Sequence, residues 1–542
     1  MIKKEKDVIL YKSLLVIIFC AFGITISFAQ KFQFVEATID DIHAALTSGE
    51  MTCREIVSGY IDRINYFDED TKLNAITVVN RGALAKADAI DQRLKNGNKL
   101  GALYCAPILV KDNYDTHDLP TTGGSIALKD NFPPDDAFMV EKLREADAIV
   151  IAKTNMAEWA FSPRKTKSSS YGTTANAYDL SRVPAGSSGG TASGTAASFG
   201  VAGMGSDTGN SIRGPSSHLA LFGIRSTMGL TSRDGVIPLI GDRDIAGPMT
   251  RTVRDGAELF NVVAGYDPKD PMTELGKGKR KKDYTKYLDK NALKGKRIGV
   301  LRSLVFTKDT DPAITALFIQ AVEDLKAEGA IIVDPFQIDN FAMHRDANNS
   351  CSRFRYDMYM YLKSLGDDAP IKDVMEVLES GQFSHDIKGG LEYFGAGPLD
   401  VHPNDRTPPC MEFPNHQGRN AFKQDVEASM EKHKVDVVIY PSWTNPPTTL
   451  ARADEDYKGD NSQIIAPPTG LPAVSVPMGF THGNLPAGLQ ILGREYSENL
   501  LFAIAYSYEQ KTMHRKPPRR FPEIEKPTQF AKGRINKSNG TD

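Results

Sequence analysis

Between residues 186 and 209 the chain is assembled almost entirely from glycine, serine, threonine and alanine. Small side chains let backbones approach closely, and glycine reaches dihedral angles that other residues avoid. Such a segment is either a flexible linker or the tightest part of a packed scaffold. Ala192, Ala196, Ala197, Phe199 and Val201 lie within it, and a linker has no use for them. The pattern therefore predicts a small-residue helix over 191–202, buried where neighbouring backbones come close.

The surrounding chain must supply the bulk, and it does so in short apolar runs separated by helical stretches. Residues 106–110 precede Lys111 and residues 148–152 precede Lys153. Short runs followed by polar loops suit strands buried in a sheet whose loops carry function. Residues 36–98 read as helical, with Thr52 capping an amphipathic helix whose apolar positions 56, 57, 60, 61 and 64 repeat at helical spacing. Runs at 297–301 and 330–333 flank a helical stretch at 311–328, an order that argues for α/β layers. Strand character returns at 435–440 and 473–477, and 499–511 reads as a final helix. Residues 341–425, with prolines at 370, 398, 403, 408, 409 and 414, are the least regular part and read as an insertion over one face, helical at 371–380. No internal repeat or linker divides the remainder, so residues 30–542 are expected to form one domain.

Residues 1–29 stand apart. Lys3, Lys4, Lys6 and Lys12 lead into an apolar stretch that closes on Ser27-Phe28-Ala29, the order of a secretory signal cleaved after Ala29. The apolar run is short for a retained membrane anchor, which takes ~20 residues. The expectation is export, to the periplasm or the medium, with no permanent membrane span. Loss of the leader takes the formal charge from −3 to about −5. No basic face, zinc-ligand spacing or aromatic-basic interleaving points to nucleic acid. Of the four remaining cysteines, Cys53, Cys105, Cys351 and Cys410, none forms a CxxC pair. In an oxidising compartment Cys351 and Cys410 are compatible with a bridge and equally with free thiols.

The chemistry concentrates in three places: Lys111-Asp112-Asn113, the serine pair of Gly186-Ser187-Ser188-Gly189-Gly190, and Ser211 in Gly205-Ser206-Asp207-Thr208-Gly209-Asn210-Ser211-Ile212-Arg213. A serine nucleophile needs a proton acceptor, yet the nearest histidine, His218, lies beyond the last motif. A lysine relayed through a second serine is the alternative to imidazole. The ten histidines form no HExxH or other metal-ligand cluster, and no GxSxG elbow is present.

Together with Lys153-Thr154-Asn155, Thr469-Gly470-Leu471-Pro472-Ala473 and 488–493, these motifs resemble the amidase signature family of serine hydrolases over roughly residues 50–510. The resemblance implies an α/β fold with a large mixed sheet covered on both faces by helices, and no metal or organic cofactor. It puts the nucleophile on Ser211, the bridging serine on Ser187, within a cis peptide, and the base on Lys111. The backbone N–H groups of Thr208, Gly209, Asn210 and Ser211 become the oxyanion hole, Asp207 and Arg213 brace its loop, and Lys153 is structural. The chain departs from the family at Asn210, where a second glycine is usual.

These roles are chemically sensible. A free lysine, with a pKa of ~10.4, is charged near neutrality, and burial behind Ile108, Leu109 and Val110 would lower it. The expected reaction is hydrolysis of a small-molecule or peptide amide through an acyl-Ser211 intermediate. Two alternatives share the scaffold. A glutamyl-tRNA amidotransferase A-type subunit is disfavoured by the leader and the missing basic patch. An inactive binding protein is disfavoured by the presence of Lys111, Ser187 and Ser211 together. Residues 341–425 and 440–463 are expected to shape the pocket mouth. Monomer and homodimer both remain open.

Overall fold

The computed structural model of the protein describes residues 31–347 and 351–525; the expected leader lies outside them. Its centre is an 11-stranded mixed sheet. In chain order the strands are β1 (Ile76–Val79), β2 (Pro107–Lys111), β3 (Ile149–Thr154), β4 (Ala202–Asp207), β5 (Phe222–Arg225), β6 (Ile245–Thr250), β7 (Arg297–Val300), β8 (Ile331–Val333), β9 (Val437–Pro441), β10 (Ala473–Thr481) and β11 (Leu485–Leu492). Across the sheet they run β1-β3-β2-β4-β6-β5-β10-β11-β9-β7-β8. β2 lies parallel to both β3 and β4, and β7 parallel to both β9 and β8, while the other neighbours are antiparallel. Lys111 is the last residue of β2 rather than the first of a loop.

The helix capped by Thr52 spans Cys53–Phe67. Thr52 Oγ1 accepts from Glu55 N at 3.1 Å and Glu55 Oε2 accepts from Thr52 N at 2.8 Å, a reciprocal cap that satisfies two end donors at once. Residues 36–98 are not helical throughout, because β1 interrupts them as an edge strand antiparallel to β3. Cys53 and Cys105 are bridged, with Cα atoms 5.6 Å apart, tying this helix to the chain just ahead of β2.

The small-residue helix is shorter than its composition predicts. It spans Gly189–Ala196; Ser198 then takes a left-handed φ of 57°, and the chain enters β4 at Ala202. β4 lies between β2 and β6, and its two glycines face closely packed neighbours. A Cβ on Gly203 would lie 2.4 Å from Thr191 Cγ2, and one on Gly205 2.7 Å from Met249 Sδ. Close approach, not flexibility, accounts for the glycines.

The segment read as irregular contains helices at Phe341–Asp346, Phe354–Ser364, Met375–Ser380, Lys388–Phe394 and Gln417–Lys432. Its prolines lie between them, where the missing N–H and fixed φ cost least. Phe354, Met358, Val374 and Leu391 form a separate apolar core with Trp159 and Ile237. Cys351 and Cys410 are bridged, with Cα atoms 5.9 Å apart. Among the described residues no helix is long and apolar enough to cross a membrane.

Candidate active site

β2 delivers Lys111 into a fully buried position. Its Nζ donates to Ser187 Oγ at 2.8 Å and to Ser206 Oγ at 2.7 Å. Burial lowers the ammonium to about 7, against the opposing pull of the Asp244 and Asp207 carboxylates. A lysine so placed exposes a lone pair near neutrality, which an exposed lysine does not. Asn113, two positions on, donates from Nδ2 to the same Ser206 Oγ at 3.0 Å.

Ser187 follows a cis peptide bond from Gly186. Its carbonyl accepts from Ala157 N at 3.0 Å, and Gly186 N donates to Pro163 O at 2.9 Å. Gly186 tolerates no side chain, since a Cβ there would lie 2.4 Å from Ser162 O and 2.6 Å from Lys165 O. The loop at 157–167 is thus laid directly against the serine.

Ser211 sits in the loop between β4 and the short helix Arg213–His218. Asp207, fully buried, holds both ends of that loop. Its Oδ2 accepts from Ile212 N at 3.2 Å and from Arg213 Nε at 3.0 Å, and its Oδ1 accepts from Arg225 Nη1 at 3.0 Å. Burial alone would raise this carboxyl, but the Arg213 and Arg225 guanidiniums overcome it and hold it at about 2. Arg213 also donates to Gly209 O at 2.7 Å and Ser462 O at 2.8 Å. Thr208 Oγ1 donates to Asp244 Oδ1 at 2.5 Å. Among the described residues, the N–H groups of Gly209, Asn210 and Ser211 find no backbone acceptor.

Lys111 and Ser187 are therefore in direct contact, and the 208–211 loop is braced by Asp207 and Arg213. Ser211 is not bonded to Ser187: its hydroxyl donates to Asn210 Oδ1 at 3.4 Å. Lys153 lies apart from the serines, donating to Tyr114 O at 2.7 Å and Thr121 Oγ1 at 2.8 Å, with Asp112 at 3.7 Å. It supports the turn after β2. Sequence reasoning assigns no role to Ser206 or Asn113. Asn113 lies in the turn just past the end of β2, and only the fold of that turn brings its Nδ2 to Ser206. Beside the 157–167 loop opens a groove of about 240 Å³, lined by Phe161, Arg164, Lys165, Asp386, Phe394 and Asp454 among others. Phe161 and Phe394 stack at 4.9 Å, and Lys165 Nζ lies 3.1 Å from Asp386 Oδ2 and 2.7 Å from Asp454 Oδ2.

The Amidase family model matches residues 55–502. The A-type subunit of the glutamyl-tRNA(Gln) amidotransferase of Alkaliphilus metalliredigens is 34% identical over 491 residues, 88% of this chain and 96% of the relative. Among solved structures, the native peptide amidase from Stenotrophomonas maltophilia matches with a TM-score of 0.80 at 31% identity, covering 90% of this chain and 99% of that one. The A-type subunit of the glutamyl-tRNA(Gln) amidotransferase from Thermotoga maritima matches with a TM-score of 0.69 at 25% identity, covering 90% and 97%. With a match running from the Cys53–Phe67 helix to the closing helix Glu498–Thr512 and with Lys111 paired to Ser187, the chain belongs to the amidase signature family of enzymes that act on carbon–nitrogen amide bonds.

Proposed function

We propose that the protein is an exported amidase hydrolysing peptide or other carboxamides, with Ser211 as nucleophile, Ser187 as proton relay and Lys111 as base. The observation that carries this reading is the 2.8 Å contact between Lys111 Nζ and Ser187 Oγ at a lysine lowered to about 7. Ser211 Oγ bonds to the carbonyl carbon while its proton passes to Ser187 Oγ, which releases its own to neutral Lys111. The carbonyl oxygen becomes an anion facing the N–H groups of residues 208–211, where one such donor is typically worth ~3 kcal/mol. As the C–N bond breaks, Ser187 gives its proton to the departing nitrogen and is reprotonated by Lys111. Water then repeats the sequence on the acyl-serine and liberates the carboxylic acid.

Export rests on the leader read at 1–29 and is supported by two bridged cysteine pairs, which persist in oxidising compartments. The peptide-amide assignment rests on the likeness to the Stenotrophomonas peptide amidase and on a groove of stacked rings and mixed charge. A panel of peptide, aryl and alkyl amides offered to purified protein, with ammonia or amine release and intact-mass detection of acyl-Ser211, tests the reading. Absence of an acyl-enzyme across the panel would overturn it. A second reading, an amidotransferase A-type subunit, is favoured by the 34% identity that runs across 96% of the Alkaliphilus relative. Hydrolysis of glutamine alone, with every peptide amide refused, would select it.

A further inference from the structure

Asn210 immediately precedes Ser211 and is 1% exposed. Its neighbours fix its orientation. Nδ2 donates to Pro163 O at 3.3 Å, a carbonyl that accepts only from the amide nitrogen, so Oδ1 is the atom facing the Ser211 hydroxyl at 3.4 Å. Gly214 makes room for the carboxamide, because a Cβ there would lie 2.6 Å from Nδ2. Trp443 Nε1 holds Gly214 in turn, donating to its carbonyl at 3.3 Å. The same Pro163 carbonyl accepts from Gly186 N at 2.9 Å, so the carboxamide is anchored to the loop that presents Ser187.

At rest the Ser211 hydroxyl donates to Asn210 Oδ1. On attack that proton goes to Ser187 instead, and among the described residues no other donor reaches Oδ1. A buried carbonyl that loses its partner is destabilised. The substrate can replace the donor, because the nitrogen attached to the attacked carbon carries an N–H in primary and secondary amides. We propose that Asn210 Oδ1 accepts the N–H of the scissile amide, selecting primary and secondary amides over tertiary amides and esters of the same acyl group. The bond also fixes the nitrogen's orientation, leaving its lone pair free to take the proton from Ser187. The inference rests on the amide-hydrolase reading and specifies which amides that site takes.

The test compares wild type, Asn210→Gly and Asn210→Ala on four substrates sharing one acyl group: primary amide, N-methyl amide, N,N-dimethyl amide and methyl ester. Labelling of Ser211 by a fluorophosphonate, which needs no substrate N–H, is followed in parallel. The expected result is that the primary-amide to ester ratio of kcat/KM falls about tenfold or more in both variants. A general disturbance of the loop would lower both rates together. An unchanged ratio in variants that still label overturns the proposal and leaves the serine-hydrolase reading standing. If neither variant folds, wild type decides it, since equal kcat/KM for the N-methyl and N,N-dimethyl amides refutes the contact. A wild type that neither labels nor turns over any of the four refutes the hydrolase reading itself.

Discussion

The Tyr361 hydroxyl donates to Asp115 Oδ1 at 2.8 Å, fastening the helix Phe354–Ser364 to the turn that follows Lys111. Burial pushes the Asp115 carboxyl up to about 8, against the lowering effect of this hydrogen bond and of Lys153. Tyr361→Phe removes the bond while keeping the ring. It is expected to destabilise the protein by about 1–2 kcal/mol, read as a lower urea midpoint with unchanged slope.

Activity should follow the protonation of Lys111. The relay needs the neutral amine, and the folded-state value is about 7. kcat/KM is therefore expected to rise with pH through about 7 and to be lost below it. A rate independent of pH between 5 and 9 would argue against lysine as the base.

The same group has a cost in stability. Its folded value lies below the ordinary lysine value of 10.5, so between about 7 and 10.5 the unfolded chain binds the extra proton and stability increases with pH. Below that window the penalty for burying the charge is complete. Lys111→Met is expected to abolish hydrolysis, and its unfolding free energy should gain least on wild type at high pH. Denaturant titrations at pH 6 and pH 9.5 measure the narrowing difference.

Gly186 permits no other residue. A side chain there must displace two backbone carbonyls, those of Ser162 and Lys165. Gly186→Ala should lose at least a hundredfold in kcat/KM, on the order of the effect of misplacing a reacting group by ~1 Å. Gly49, whose Cβ would meet nothing within 4 Å, is a control that leaves kcat/KM in place when changed to asparagine.

Removing the Cys53–Cys105 bridge, which closes a loop over a separation of 52 residues, should cost about 4 kcal/mol on chain-entropy grounds. The double serine variant, unfolded alongside oxidised wild type, gives the number directly.

Much of this arrangement is legible in the sequence because the strands that carry it are fully buried. β2 and β3 stand out as unbroken apolar runs, each with a lysine at or next to its end. β1 is hidden: its four residues are only partly buried at the sheet edge, and helical stretches flank them. β11 is hidden for another reason, since its glycine and proline content suggests a loop, whereas pairing with both β10 and β9 makes it a strand. Ser206 is one serine among many until the fold turns its hydroxyl to Lys111. Cys53 and Cys105 give no pairing signal, because their proximity depends on how the fold brings the start of the Cys53–Phe67 helix to the chain just ahead of β2. Asn210 is visible as an irregular position; its partners Pro163 and Gly214 are not.

That partnership bears on how such a chain could have arisen. A Cβ at position 214 would press on Asn210 Nδ2 at 2.6 Å and push the carboxamide off its present position, whereas a glycine at 210 has no side chain there to displace. Asparagine at 210 in its present orientation therefore goes with glycine at 214, and the order in which the two arise in a lineage matters. The two positions form an epistatic pair, in which the effect of a change at one depends on the residue at the other.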